Sequence, residues 1–163
     1  GDIPLYISRA KAHAYEKKLQ ENDLLITSDT IVWLNGHMLG KPKDKAEAKQ
    51  MLMQLSGQTH QVYTSVCFTW RAPLNNATTQ NNAITTLHHS LVDCTDVTFR
   101  TLTNEEIDYY VEKYLPLDKA GAYGVQEWIG YVGVTRMEGS YFNVMGFPIG
   151  RIYQWLMDNH MIH

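Results

Sequence analysis

The sequence has little cysteine: Cys67 and Cys94 are the only two in 163 residues. Neither sits in a C-x-x-C pair or a Cys/His cluster, which excludes a disulfide scaffold and a zinc-ribbon site and leaves two reduced thiols expected in the core. No apolar run approaches the ~20 residues of a membrane span, and no charged-then-apolar leader is visible, so a cytoplasmic chain with no membrane partner is expected. Charge of one sign is also missing: 14 Lys and Arg face 17 Asp and Glu, for a net charge of −3. A general attraction to DNA or RNA is therefore excluded, and an anionic ligand would need a local cationic pocket. The chain carries no P-loop, dinucleotide fingerprint, Ser/His/Asp arrangement or fixed-period repeat. Nor does a Pro/Gly/Ser-rich linker divide it, so one domain over residues 1–163 is expected.

What is present suits a soluble globular fold. Apolar residues make up 44% against 19% charged, enough to bury a core without a disulfide or structural metal. Apolar positions from Pro4 to Leu19 suit one helix face, made cationic by Arg9, Lys11, Lys17 and Lys18. Leu24–Leu34 is rich in β-formers, and Asn35-Gly36 predicts a tight hairpin returning through Met38 and Leu39. Asp44-Lys45-Ala46-Glu47 has the spacing of a helix start, with Gly57 as the stop. Strand signal covers Thr59–Trp70. It gives way over Pro73–Asn82 to a polar stretch read as an exposed loop. Strands follow over Ala83–Leu91 and Asp96–Leu102, then a helix capped by Thr103 and stopped by Pro116. Trp128–Met137 reads as a strand and Pro148 to about Met157 as a closing helix, so the class is α/β or α+β.

Three places could carry chemistry. Asp29 interrupts an apolar strand, where a carboxylate is costly to bury unless it meets a cation, a metal or several donors. It could equally bond local backbone near a strand end. The hairpin could return Lys41, in Gly40-Lys41-Pro42, toward it, although a surface ion pair would have little consequence. Asp118–Gln126 combines two glycines with Lys119, which suits phosphate, and Gln126, which offers a donor and an acceptor to a base edge. Its other reading is a plain glycine-rich crossing. Gly139–Pro148 places polar groups before a helix N-terminus, either as a substrate wall or as a capped turn. The seven histidines are scattered, and His88 and His89 in one strand would face opposite sides, which disfavours joint metal ligation.

Taken in order, Ser8-Arg9-Ala10-Lys11-Ala12, Ser28-Asp29-Thr30-Ile31-Val32, Leu39-Gly40-Lys41-Pro42 and Leu55-Ser56-Gly57 with His60-Gln61-Val62 resemble the Maf family of nucleotide pyrophosphatases. The resemblance continues through Thr98-Phe99, Glu106-Ile107, Tyr110-Val111, Asp118–Gln126 and Gly139–Pro148. Only residues 71–94 stand apart, as a longer loop or strand insertion. The resemblance implies an elongated α/β fold similar to inosine triphosphatases, with a central mixed sheet and a cleft between two lobes. It puts the catalytic proton acceptor, also the metal ligand, at Asp29. Substrate specificity falls on Thr30 and Gln126, and phosphate binding on Lys11, Lys41 and Lys119. The Asp-Thr pair with a later Gln is similar to the branch acting on dTTP and UTP, with Mg²⁺ or Mn²⁺ as cofactor, rather than the 7-methyl-GTP branch. A nucleotide-binding regulator linked to septum formation and a sanitation pyrophosphatase for modified nucleotides are the alternatives. A homodimer stays open. The family's opening strand, its S-x-S-P-R-R phosphate loop and a later acidic residue have no counterpart here, so the expectation is a truncated chain, with a fragment that does not turn over as the alternative.

Overall fold

The computed structural model describes residues 2–73 and 84–162. Helix α1 (Asp2–Tyr15) has Asp2 and Pro4 in its first turn, where a negative charge suits the helix dipole and the missing proline N–H has no partner to lose. It runs into a 3-10 turn at Glu16–Lys18. Strand β1 (Leu24–Leu34) turns through Asn35 and Gly36 at φ of 48° and 84° into β2 (His37–Leu39), with Val32 opposite Leu39 and Leu34 opposite His37. Two consecutive positive φ values match the twist of the flanking strands. The Asn-Gly pair thus does what its sequence predicts.

Helix α2 (Lys45–Leu55) is capped reciprocally: Asp44 accepts from the Glu47 N–H at 2.8 Å, and the Glu47 carboxylate accepts from the Lys43 N–H at 2.8 Å. Strand β3 (Thr59–Pro73) is longer than the sequence signal, and β4 (Ile84–Phe99) is one strand rather than two. Residues 92–95 fall between the two expected strands, but Thr95 is buried and donates to the Ser140 carbonyl at 3.0 Å, and the strand continues through them. Residues 74–83, which hold nearly all of the predicted exposed loop, lie outside the described residues.

Helix α3 (Asn104–Tyr114) begins with a full capping box between Thr103 and Glu106 and ends at Leu115, in the left-handed region just before Pro116. The strand expected over Trp128–Met137 is instead helix α4 (Trp128–Gly133) followed by strand β5 (Val134–Glu138). Its glycines mark close packing: a Cβ at Gly130 would lie 1.8 Å from the Val125 carbonyl oxygen, and one at Gly133 would lie 2.9 Å from the Phe99 ring. Helices α5 (Tyr141–Val144) and α6 (Ile149–Asp158) complete the described chain.

Among the described residues the sheet has five strands in the order β2-β1-β3-β4-β5, with β1/β2 and β4/β5 antiparallel. The mixed α and β class expected from the sequence is the one observed. Two units divide the chain: residues 1–29 with 65–92, and residues 30–64 with 93–163. In the first, α1 lies against the β3 segment through Ser65, whose hydroxyl donates to the Pro4 carbonyl at 2.5 Å and sits 2.8 Å from Ser8 Oγ. The second holds the main apolar core, in which Leu52, Leu55, Val97, Phe99, Tyr110 and Ile129 are almost wholly buried. Lys45 and Lys49 of α2 pair with Glu112 and Asp108 of α3 across its rim. Cys67 is buried as expected and Cys94 is exposed, both as free thiols. No helix among the described residues is long and apolar enough to cross a membrane.

Candidate functional site

In the first unit, the alternation of β1 sends Thr27 and Asp29 to one face, and both meet α1. Thr27 donates to the Ser8 carbonyl at 2.8 Å. One turn further along the helix, Lys11 Nζ donates to Asp29 Oδ1 at 2.8 Å and to the Ser28 carbonyl at 2.9 Å. The Asp29 side chain is 17% exposed and that of Lys11 48%, so a largely covered carboxylate is matched by a cation that still reaches solvent. Of the two readings of Asp29, the cation partner is the one found, and that partner is Lys11. Near the same helix, His88 bonds Thr69 and approaches Glu16 at 3.6 Å, while His89 lies beside the Phe68 ring. The pair faces opposite ways, as the strand period requires.

In the second unit, the half-buried Thr30 adjoins a chain of buried polar groups. Its hydroxyl lies 2.9 Å from that of Thr64, and Thr64 donates to the Asn143 carbonyl at 2.8 Å. The Asn143 amide nitrogen donates in turn to the Val62 carbonyl at 3.0 Å and to Thr95 Oγ1 at 2.9 Å. Asn143 is wholly buried, and its side-chain oxygen has no partner. Gly146, at φ of 100°, lets the Gly139–Pro148 segment approach Thr30, since a Cβ there would stand 3.1 Å from Thr30 Oγ1. Of the two readings of that segment, the capped turn is the one seen: Ser140 caps α5, and Asn143 ties the turn to β3 and β4.

The Asp118–Gln126 segment is also held in the second unit. Gly121, at φ of 68°, donates its N–H to the Gly40 carbonyl at 3.0 Å and packs against Val32, which a Cβ would meet at 2.9 Å. Lys119 pairs with the exposed carboxylate of Asp118. Lys119 Nζ is 3.1 Å from Asp118 and 3.3 Å from Glu127. Asp118 is held below the usual carboxylate range by Lys119 first, with Lys41 adding to the effect. Burial works to lower the Lys119 pKa, but Asp118 and Glu127 outweigh it and raise it. Tyr110 anchors the segment from α3, accepting from the Gly124 N–H at 3.0 Å and donating to the Glu127 carboxylate. Gln126 itself is exposed.

Sequence reasoning misses Thr64, Thr95, Tyr110 and Glu127. The threonines look like ordinary strand formers and Tyr110 like an apolar helix position, so no local signal marks them. Among the described residues no group of three or more His, Cys, Asp or Glu side chains could hold a metal ion.

A family model described as Maf-like protein matches residues 2–159. The dTTP/UTP pyrophosphatase of Bacteroides thetaiotaomicron is 51% identical over 153 residues, covering 94% of this chain and 72% of that protein. The protein of the same name from Flavobacterium johnsoniae is 48% identical over 155 residues, 95% of this chain and 73% of that protein. That from Porphyromonas gingivalis strain W83 is 49% identical over 158 residues, 96% and 72% respectively.

Proposed function

This chain belongs to the Maf-like protein family, and from that premise we propose that it hydrolyses dTTP and UTP to the nucleoside monophosphate and pyrophosphate. The observation that carries the reading is the high identity, over nearly the whole chain, to proteins named for that reaction. The Lys11–Asp29 pair is the local feature that suits it.

The reaction needs a water directed at the α-phosphorus, positive charge against the phosphate oxygens, and pyrophosphate leaving in line. Asp29 takes the proton of that water. Lys11 holds Oδ1 and fixes the carboxylate's direction, while its own solvent-facing ammonium remains in reach of an anionic ligand. Lys41 and Lys119 receive the phosphates, which compete with the exposed Asp118 for Lys119. Thr30 and Gln126 read the base, where a site built on hydrogen bonds rejects a base that leaves them unmatched.

The donors fit a metal of the Mg²⁺ or Mn²⁺ kind in one way. Asp29 would be the residue that holds it, since Mg²⁺ at phosphate sites is commonly bound through one or two carboxylates together with water and phosphate oxygens. When bound, such an ion neutralises charge on the phosphoryl oxygens.

Pyrophosphate release from dTTP, UTP, CTP and 7-methyl-GTP, each with Mg²⁺ or Mn²⁺, tests the proposal. Release from dTTP and UTP is expected. A preference for 7-methyl-GTP, or nucleotide binding without release, would overturn it.

A further inference from the structure

The hydroxyl of Thr64 has one proton, and the Asn143 main-chain carbonyl, which can only accept, takes it at 2.8 Å. Thr64 Oγ1 therefore has none left for Thr30, and the 2.9 Å contact between the two threonines requires Thr30 to be the donor. With its own proton so committed, Thr30 Oγ1 offers only lone pairs to anything else that approaches. We infer that Thr64 is a positioning residue for base selection: it fixes Thr30 as a hydrogen-bond acceptor, which selects a pyrimidine bearing N3–H and rejects one bearing a bare N3.

This inference rests on the preceding reading of Thr30 as a base-contacting residue. Uracil and thymine carry a proton on N3, which an acceptor pairs with, whereas the unprotonated N3 of cytosine sets lone pair against lone pair. The rest of the chain of hydrogen bonds holds the residue whose main-chain carbonyl takes the Thr64 proton. Asn143 cannot turn its amide over, because Val62 presents a carbonyl to Nδ2 at 3.0 Å. Thr95, which accepts from the same Nδ2, gives its own proton to the Ser140 carbonyl at 3.0 Å. Gly146 closes in on Thr30 Oγ1, within 3.1 Å of where its Cβ would be, which restricts the directions from which a ligand can reach the oxygen.

The test compares Thr64→Val, which keeps the shape and removes the hydroxyl, with Thr64→Ser, which keeps the hydroxyl. The readout is the ratio of kcat/KM for UTP over CTP. In Thr64→Val the Thr30 proton is released and can turn toward N3 of cytosine, so the ratio is expected to fall by about tenfold, the scale of one hydrogen bond. Thr64→Ser is expected to keep the ratio. A loss of activity toward all nucleotides in equal measure, or an unchanged ratio in Thr64→Val, or the same fall in Thr64→Ser, would overturn the inference. Calorimetric Kd values for UTP and CTP read the same ratio without turnover, so it is tested even if the protein releases no pyrophosphate and the proposed activity fails.

Discussion

Replacing Tyr110 by Phe removes one oxygen atom from the centre of the second unit and leaves the ring, its stacking on Tyr114 and the packing volume intact. The lost oxygen accepts from the buried Gly124 N–H at 3.0 Å and donates to the Glu127 carboxylate. Burial first, and then Glu127, holds the Tyr110 hydroxyl well above its ordinary pKa, so it stays protonated and the effect should not vary between pH 5 and 9. An unsatisfied buried N–H costs about 1–3 kcal/mol, and a lost hydrogen bond to a charged group about 1.5–3 kcal/mol. Glu127 keeps Lys119 at 3.3 Å and some access to solvent, so part of the second loss is recovered. A destabilisation of about 2–3 kcal/mol follows. For a chain of this length each kcal/mol moves Tm by about 2–4 °C, giving a fall of about 4–12 °C. Calorimetric melting of Tyr110→Phe beside Tyr109→Phe, an exposed tyrosine on the same helix, checks it. Near-identical melting of the two variants would refute the reasoning.

Three further outcomes follow from the same geometry. Asp29→Asn is expected to lower kcat for dTTP by at least about 100-fold, the scale of a lost general base, with Tm little changed; undiminished turnover would remove Asp29 from the chemistry. Gly121→Ala places a methyl 2.9 Å from Val32 at φ of 68°, and urea unfolding should show it destabilised by about 2 kcal/mol; an unchanged midpoint would contradict the close approach. His60 is pushed down from 6.5 to about 4 by burial, with Asp96 opposing. Between those pH values the unfolded chain binds the proton that the folded chain refuses, so His60's contribution to stability is lost as pH falls from about 6.5 to about 4. Its imidazole NMR signal should titrate near 4, and a midpoint near 6.5 would refute its burial as a neutral ring.

What could be read from the sequence was local. Asp44 with Glu47, Thr103 with Glu106, and Asn35-Gly36 each complete their hydrogen bonds or turns within a few residues, and each forms as expected. Trp128–Gly133 was misread because Gly130 and Gly133 answer to Val125 and Phe99, partners that only the folded chain brings near. The continuity of β4 depended on Thr95 finding Ser140, 45 positions along. The Lys11–Asp29 contact, across 18 positions, likewise had no periodic signal. Asp29 stands out as a carboxylate in an apolar strand, and Lys11 is assigned to phosphate through the family motif, but neither signal points to the other residue. The threonine chain behind Thr30 was invisible for the same reason, since a strand threonine looks alike whether its hydroxyl faces water or a buried carbonyl.

The most direct test of the proposed reaction is hydrolysis of dTTP in water enriched in oxygen-18, followed by mass spectrometry of both products. Attack at the α-phosphorus places the label in the nucleoside monophosphate and leaves pyrophosphate unlabelled. Label in pyrophosphate, or release of inorganic phosphate with a nucleoside diphosphate, would contradict it.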